Sequence, residues 1–295
     1  MNNVAETPPS PVPSAAQASL RNHKDGMIMR IAYFDCFAGV SGDMTLGALV
    51  DVGVDLALLR EELSKLPVSG YSLEASTVKR GGFRGTKVNV IVDEKAQPPR
   101  RYTDIVAMIT ESTLEPAIQQ GALHIFRRLG DVEARLHGEP LETMHFHEVG
   151  GVDSIVDVVG AVIGLHALHI DTVMASPVNV GHGAVRTAHG LLPVPAPATL
   201  ELLKGYPAYA GIIRKEMTTP TGAAIITSMG SRFGPLPLMQ VEGIGYGAGG
   251  RNPPELPNML RLIIGELDAQ AEMPGPQGTQ APHPHGHHHH HGHHA

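Results

Sequence analysis

Tryptophan is absent from the 295 residues, cysteine occurs once, at Cys36, and aromatic side chains make up only 4% of the chain. A single thiol cannot close an internal disulfide, which suits a reducing compartment. With so few rings, a core must come from aliphatic side chains and close backbone approach, which the 34 glycines permit. Long apolar runs are missing as well, because Gly, His or Asp interrupts each one well short of the roughly eighteen residues of a membrane span. No membrane segment is therefore expected. A basic excess is also lacking: the formal charge is -7, which argues against nucleic acid as a partner. The first residues show no basic stretch leading into an apolar core, so no signal peptide is expected and the cytoplasm is the expected location. What is present is 42% hydrophobic side chains, enough for one large or two modest cores.

Residues 1–26 are rich in Pro, Ser, Ala, Asn and Gln without periodicity, and are expected to be a disordered extension. A folded domain is expected over residues 27–267. Its first strand spans Arg30 to Phe37, with Ile31, Tyr33 and Asp35 on one face and Ala32, Phe34 and Cys36 on the other. The turn Ala38 to Met44 then leads into a helix, an arrangement that can hold an anion or a metal-phosphate, or can be an ordinary turn capped by Ser41 or Asp43. Two strands, Tyr71 to Val78 and Thr86 to Val92, form a hairpin with a basic tip. In a long helix from Glu115 to His137, the buried stripe runs from Ala122 through Leu136, and Glu133 and His137 stand one turn apart beside it. Further strands are expected over Val173 to Val180, Ala208 to Ile213, Met239 to Tyr246 and Met259 to Glu266. Helices are expected from the Pro193 to Pro197 segment and after Thr219. This interleaving predicts an α+β (mixed α/β) fold, a mixed β-sheet packed with helices.

The densest chemistry lies between His145 and Asp157, where two imidazoles and three carboxylates flank Gly150 and Gly151. In extended backbone, His145 and His147 leave on the side opposite Phe146. After the glycines, apolar residues recur with helical period from Val152, which places Asp153 and Asp157 one turn apart on a stripe continuing through Gly160 and Gly164. Carboxylates in a first turn also satisfy the helix dipole, but capping leaves His145, His147 and Glu148 unaccounted for. Further on, Thr219, Thr221 and the Gly222 amide surround a helix start suited to anion capture, though a hydroxyl cap has the same appearance. From residue 268 the chain becomes a Pro, Gly and Gln stretch ending in a histidine tract that includes His287, His288, His289, His290 and His291. This tail, 268–295, is expected to be disordered and to collect borderline divalent metals through neutral imidazole. Imidazole and carboxylate without thiolate suit nickel, zinc, cobalt or manganese, and the tail favours nickel or zinc.

Five segments together resemble the LarC family: Tyr33 to Met44, His145 to Asp157, Ser176 to Asn179, His189 to Thr199 and Thr218 to Ala224. The resemblance implies a protein that inserts nickel into pyridinium-3,5-bisthiocarboxylic acid mononucleotide, forming the nickel-pincer cofactor of lactate racemase-type enzymes. Nickel would thus be bonded to a ring carbon whose proton must leave. The implied activity is that of a nickel chelatase or cyclometallase, a lyase in class. On this reading His145, His147 and Glu148, with Asp153 or Asp157, hold nickel, and one of them acts as general base. Asp35 and Asp43 hold a second metal, while Ser41, Gly42, His182, His189, Thr219, Thr221 and Gly222 contact the substrate. Full-length members continue into a C-terminal domain that binds CTP with Mg or Mn and forms oligomers. The expected partners are therefore a separate C-terminal domain, a lactate racemase-type apoenzyme and a second copy of the chain. Two other classes compete: a nickel store or delivery protein without catalysis, suggested by the tail, and a metal-dependent phosphohydrolase, suggested by the acids and histidines.

Overall fold

The computed structural model describes residues 28–93, 100–146, 150–187 and 190–268. In chain order the elements are β1 (Ile28–Asp35), α1 (Gly42–Asp51), α2 (Leu56–Leu63), β2 (Tyr71–Arg80), β3 (Phe83–Val92), α3 (Tyr102–Thr110) and α4 (Pro116–His137). They continue with α5 (Val152–Ala167), β4 (Thr172–Ala175), β5 (Val178–Asn179), β6 (Gly183–Thr187), β7 (Gly190–Val194) and α6 (Pro197–Leu202). The last are β8 (Ala208–Tyr209), α7 (Pro220–Met229), β9 (Gly230–Phe233), β10 (Gln240–Ala248) and β11 (Met259–Asp268). Seven strands form one mixed sheet in the order β2-β3-β10-β11-β1-β4-β9, so the expected mixed α/β architecture is found.

Central strand β1 pairs antiparallel with β11 and parallel with β4, and both of its faces are covered. Ala32 and Phe34 enter the main core with α1, α4, α5 and α7, whereas Ile31 and Tyr33 join a smaller cluster with Met174, Ile263 and Leu267. A strand covered on both sides needs a nearly continuous apolar run, and β1 has one from Ile31 to Phe34.

Helix α1 lies unusually close to the sheet. A Cβ at Gly247 of β10 would come within 1.8 Å of the Met44 carbonyl, and one at Gly245 within 2.2 Å of the Ala48 carbonyl. Glycine at these positions removes the side-chain layer that normally separates helix from strand. Asp51, the last residue of α1, accepts from Thr86 Oγ1 at 2.6 Å and from the Tyr246 amide at 2.9 Å. It thereby ties β3 to β10, which share only the pairing of Thr86 with Gly247.

Some elements differ from expectation for identifiable reasons. The hairpin is tighter, with only Gly81 and Gly82 at positive φ between β2 and β3. Residues able to adopt positive φ permit the two-residue turn whose twist matches the strands. The expected strand from Val173 to Val180 is split at Ser176-Pro177, since proline lacks the amide that a ladder needs. The expected helix start at Pro193 falls instead at Pro197, because Pro193 and Val194 pair with Ala184 and Gly183. Leu136, expected in the buried stripe of α4, is 42% exposed.

Candidate functional site: a polar cavity where helix ends meet

The loop between β1 and α1 is held by buried polar side chains. Ser176 Oγ accepts from the Cys36 amide at 2.9 Å, and Asn179 Nδ2 donates to the Phe37 carbonyl at 2.8 Å. Thr218 Oγ1 donates to the Asn179 carbonyl at 2.8 Å and accepts from the Val40 amide at 3.3 Å. The Gly222 position lies so near this loop that a Cβ there would meet the Val40 carbonyl at 2.2 Å. The starts of α1 and α7 are thus fixed against each other, and the segments Ser176 to Asn179 and Thr218 to Gly222 include the residues that hold them.

Beside them opens a cavity of about 820 Å³. Its wall includes the N-terminal residues of α1, α5, α6 and α7, the C-terminal turn of α4, strand β3 and the hairpin of β6 and β7. Volume and polarity suit a nucleotide-sized ligand, for which pockets span roughly 300 to 1,000 Å³. Several helix N-termini around one space favour negative groups there. The wall also carries fixed charges of both signs: Asp43, Asp153, Asp157, Glu133 and Glu216 against Lys87, Arg186 and Arg251.

Most of these acids have a polar or charged partner. Lys87 Nζ contacts Asp43 Oδ2 at 2.9 Å, and Ser41 donates to the other oxygen of Asp43. Glu133 Oε2 faces His137 Nε2 at 3.3 Å, and Glu216 Oε2 faces Arg251 Nη2 at 3.7 Å. Asp157 differs from these: among the described residues, its Oδ1 is closed off from solvent and accepts no hydrogen bond. Burial, and then the neighbouring Asp43 and Asp153, push its carboxyl well above the usual carboxylate range, with Lys87 opposing the rise. Its other oxygen lies against Gly42, where a Cβ would come within 2.1 Å of Oδ2. About one and two turns of α5 beyond Asp157, Gly160 and Gly164 receive Leu46 and Leu49 of α1, so the small-residue stripe of α5 is where the two helices meet.

The nickel insertion protein family model matches residues 32–287. This chain belongs to that family. Its relatives include a pyridinium-3,5-bisthiocarboxylic acid mononucleotide nickel insertion protein of Desulfitobacterium hafniense, 53% identical over 239 residues, covering 81% of this chain and 59% of the relative. A Geobacillus kaustophilus protein of the same name is 48% identical over 247 residues, covering 81% of this chain and 60% of its own length. The chain thus spans about three-fifths of the length of the curated relatives it matches. No solved structure matches.

For this member of the nickel insertion family, the cavity gathers only some of the residues expected to act together. Ser41, Gly42, Asp43, Asp153, Asp157, Thr219 and Thr221 line it. Four expected residues among those described stand outside its lining: His145, Asp35, His182 and Gly222. His145 is exposed and accepts from Arg101 Nε at 3.2 Å, because buried Met144 and Phe146 alternate with it and turn its ring outward. Asp35 is bound by Arg261, whose Nε donates at 2.9 Å, so it is neutralised on the sheet rather than sharing a metal with Asp43. His182 is exposed, with Nδ1 3.2 Å from the Gly211 carbonyl. The Gly222 amide is taken by the Thr219 hydroxyl at 3.2 Å, the capping alternative to anion capture. His147, Glu148, His189 and His287 to His291 lie outside the described residues. Among the described residues, no three Asp, Glu, His or Cys side chains converge closely enough to hold a metal ion, so the cavity acids do not form a ready-made cage. No helix among the described residues is long and apolar enough to cross a membrane.

Several cavity residues were not selected as site residues from sequence. Glu133 and His137 carried a readable signal, their spacing of one helical turn. Lys87, Arg251 and Glu216 carried none, since each reaches the cavity from a strand or loop whose place is set by distant pairing.

Proposed function

We propose that this cavity is where nickel is inserted into pyridinium-3,5-bisthiocarboxylic acid mononucleotide, the substrate named in its relatives. The observation that carries the reading is the joint presence, in one nucleotide-sized space, of acids, cations and helix N-termini. The substrate has matching features: a cationic ring, two thiocarboxylates and a phosphate. Arg186 and Arg251 suit the phosphate, and the acids suit the pyridinium ring and incoming nickel. His137 and Glu133 offer nitrogen and oxygen donors of the kind a borderline divalent ion accepts. The reaction is a cyclometallation, a lyase-type insertion, located in the cytoplasm. CTP with Mg or Mn acts through the additional length of the relatives, and a lactate racemase-type apoenzyme receives the product. Residues 1–26 and 268–295 are extensions of the domain at 27–267, and the histidine tract loads nickel for it.

The test mixes the full chain with nickel, CTP and the bisthiocarboxylate nucleotide, with and without the C-terminal part of a relative. Absorbance and mass should report the metallated nucleotide in at least one mixture. Its absence from both overturns the reading. Removing residues 283–295 should leave turnover at saturating nickel and reduce it at scarce nickel. Turnover that is absent before and after, together with a large loss of bound nickel, would identify a store.

A further inference from the structure

Resting on that reading, we propose that Asp157 is the base that takes the proton from the ring carbon to which nickel becomes bonded. The substrate's name, as carried by the relatives, puts the thiocarboxylates on ring positions 3 and 5. A metal held by both sulfurs therefore faces carbon 4 and its hydrogen. For nickel to bond to that carbon, the C–H bond must break. Both of its electrons pass to the carbon-nickel bond, the metal stays divalent, and one proton leaves. An aromatic C–H gives up its proton only to a base held close and shielded from water.

The cavity's other acids are already occupied or open to solvent. Asp43 has Lys87 and Ser41, Glu133 has His137, and Glu216 has Arg251. Asp153 is exposed, one helical turn away. Among the described residues, Asp157 is the cavity acid that combines a place in the wall and a partly exposed side chain with a carboxyl oxygen that no hydrogen bond occupies. Its second oxygen rests on the backbone at Gly42, where no side chain can intrude, so the group has little room to swing away.

The decisive experiment compares the wild-type chain with Asp157→Asn and Asp157→Ala in the mixture of nickel, CTP and a relative's C-terminal part described above, with substrate carrying hydrogen or deuterium at carbon 4. Asp157→Asn keeps the shape and removes the base. It should lower kcat at least about a hundredfold with little change in KM, and should enlarge the deuterium isotope effect. Formate should restore part of the turnover of Asp157→Ala, because a small carboxylate can enter the vacated space, and should not rescue Asp157→Asn. A wild-type rate from folded Asp157→Asn, or an Asp157→Ala variant indifferent to formate, overturns the assignment while the insertion reading stands. Failure of the wild type itself to yield metallated product overturns the insertion reading and this one together.

Discussion

Asp35 and Asp157 are two carboxylates on largely apolar elements, and the protein treats them oppositely. Asp35 ends the central strand and faces Arg261 across the β1-β11 ladder, where the two residues are direct partners. Asp157 sits on α5 among Asp43 and Asp153, with the nearby Lys87 already engaged by Asp43. An acid answered by a cation in register is part of the sheet's architecture. An acid left among like charges costs stability, and such costs persist where a site needs them. Position in an apolar pattern marks both residues as anomalies; only the partner separates a structural acid from a chemical one.

The most severe way to disturb this contrast is Gly42→Ala, which forces a methyl group into Asp157. Because the carboxylate has little room to retreat, thermal or denaturant unfolding should show a loss of about 2 kcal/mol, with metallated product reduced as well. Unchanged stability would mean that Asp157 is free to move, contrary to the fixed geometry seen at α1. A smaller loss, about 1 kcal/mol, is expected for Arg261→Met, since the arginine is partly exposed and solvent screens part of the pair. Adding Asp35→Asn to it should recover much of that loss in a double-mutant cycle, because no uncompensated charge remains. The cavity acid should give the reverse result: Asp157→Asn alone should stabilise the protein at neutral pH. Asp157 holds its proton more tightly folded than unfolded, so its contribution is fully present below the ordinary carboxylate range and is lost as pH rises through its raised pKa. The advantage of Asp157→Asn over wild type should therefore grow from about pH 4 upward; a constant difference in melting temperature would contradict this. Least perturbing of all, iodoacetamide should leave Cys36 unmodified in the native protein and label it on unfolding, since burial foremost, with Asp35 adding to it, pushes the thiol far up.

The periodic elements were legible because burial patterns are local. The alternation of β1, the stripe of α4 and the glycine stripe of α5 each appear within one short window. The site was legible in part: Ser41 to Asp43, Asp153, Asp157, Thr219 and Thr221 share the cavity wall, and all belong to segments dense in glycine and polar residues. His145 reads as a metal donor because it stands beside two more ligand types, and the burial of its neighbours turns it out of the cavity lining. Asn179 and Ser176 showed the opposite problem, since their polar side chains in a motif hold a loop by buried hydrogen bonds.

By itself, the sequence determined the mixed α/β class, the helix and strand periods and the family, since these depend on neighbours within a few positions or on whole motifs in order. Only tertiary structure decided which charges meet. Lys87 reaches Asp43 from another element, Arg261 reaches Asp35 from the far end of the chain, and among the described residues no donor reaches Oδ1 of Asp157. Electrostatic energy depends on distances of a few ångströms and on exclusion of water, and both are set by how elements pack rather than by the order of residues along any one of them.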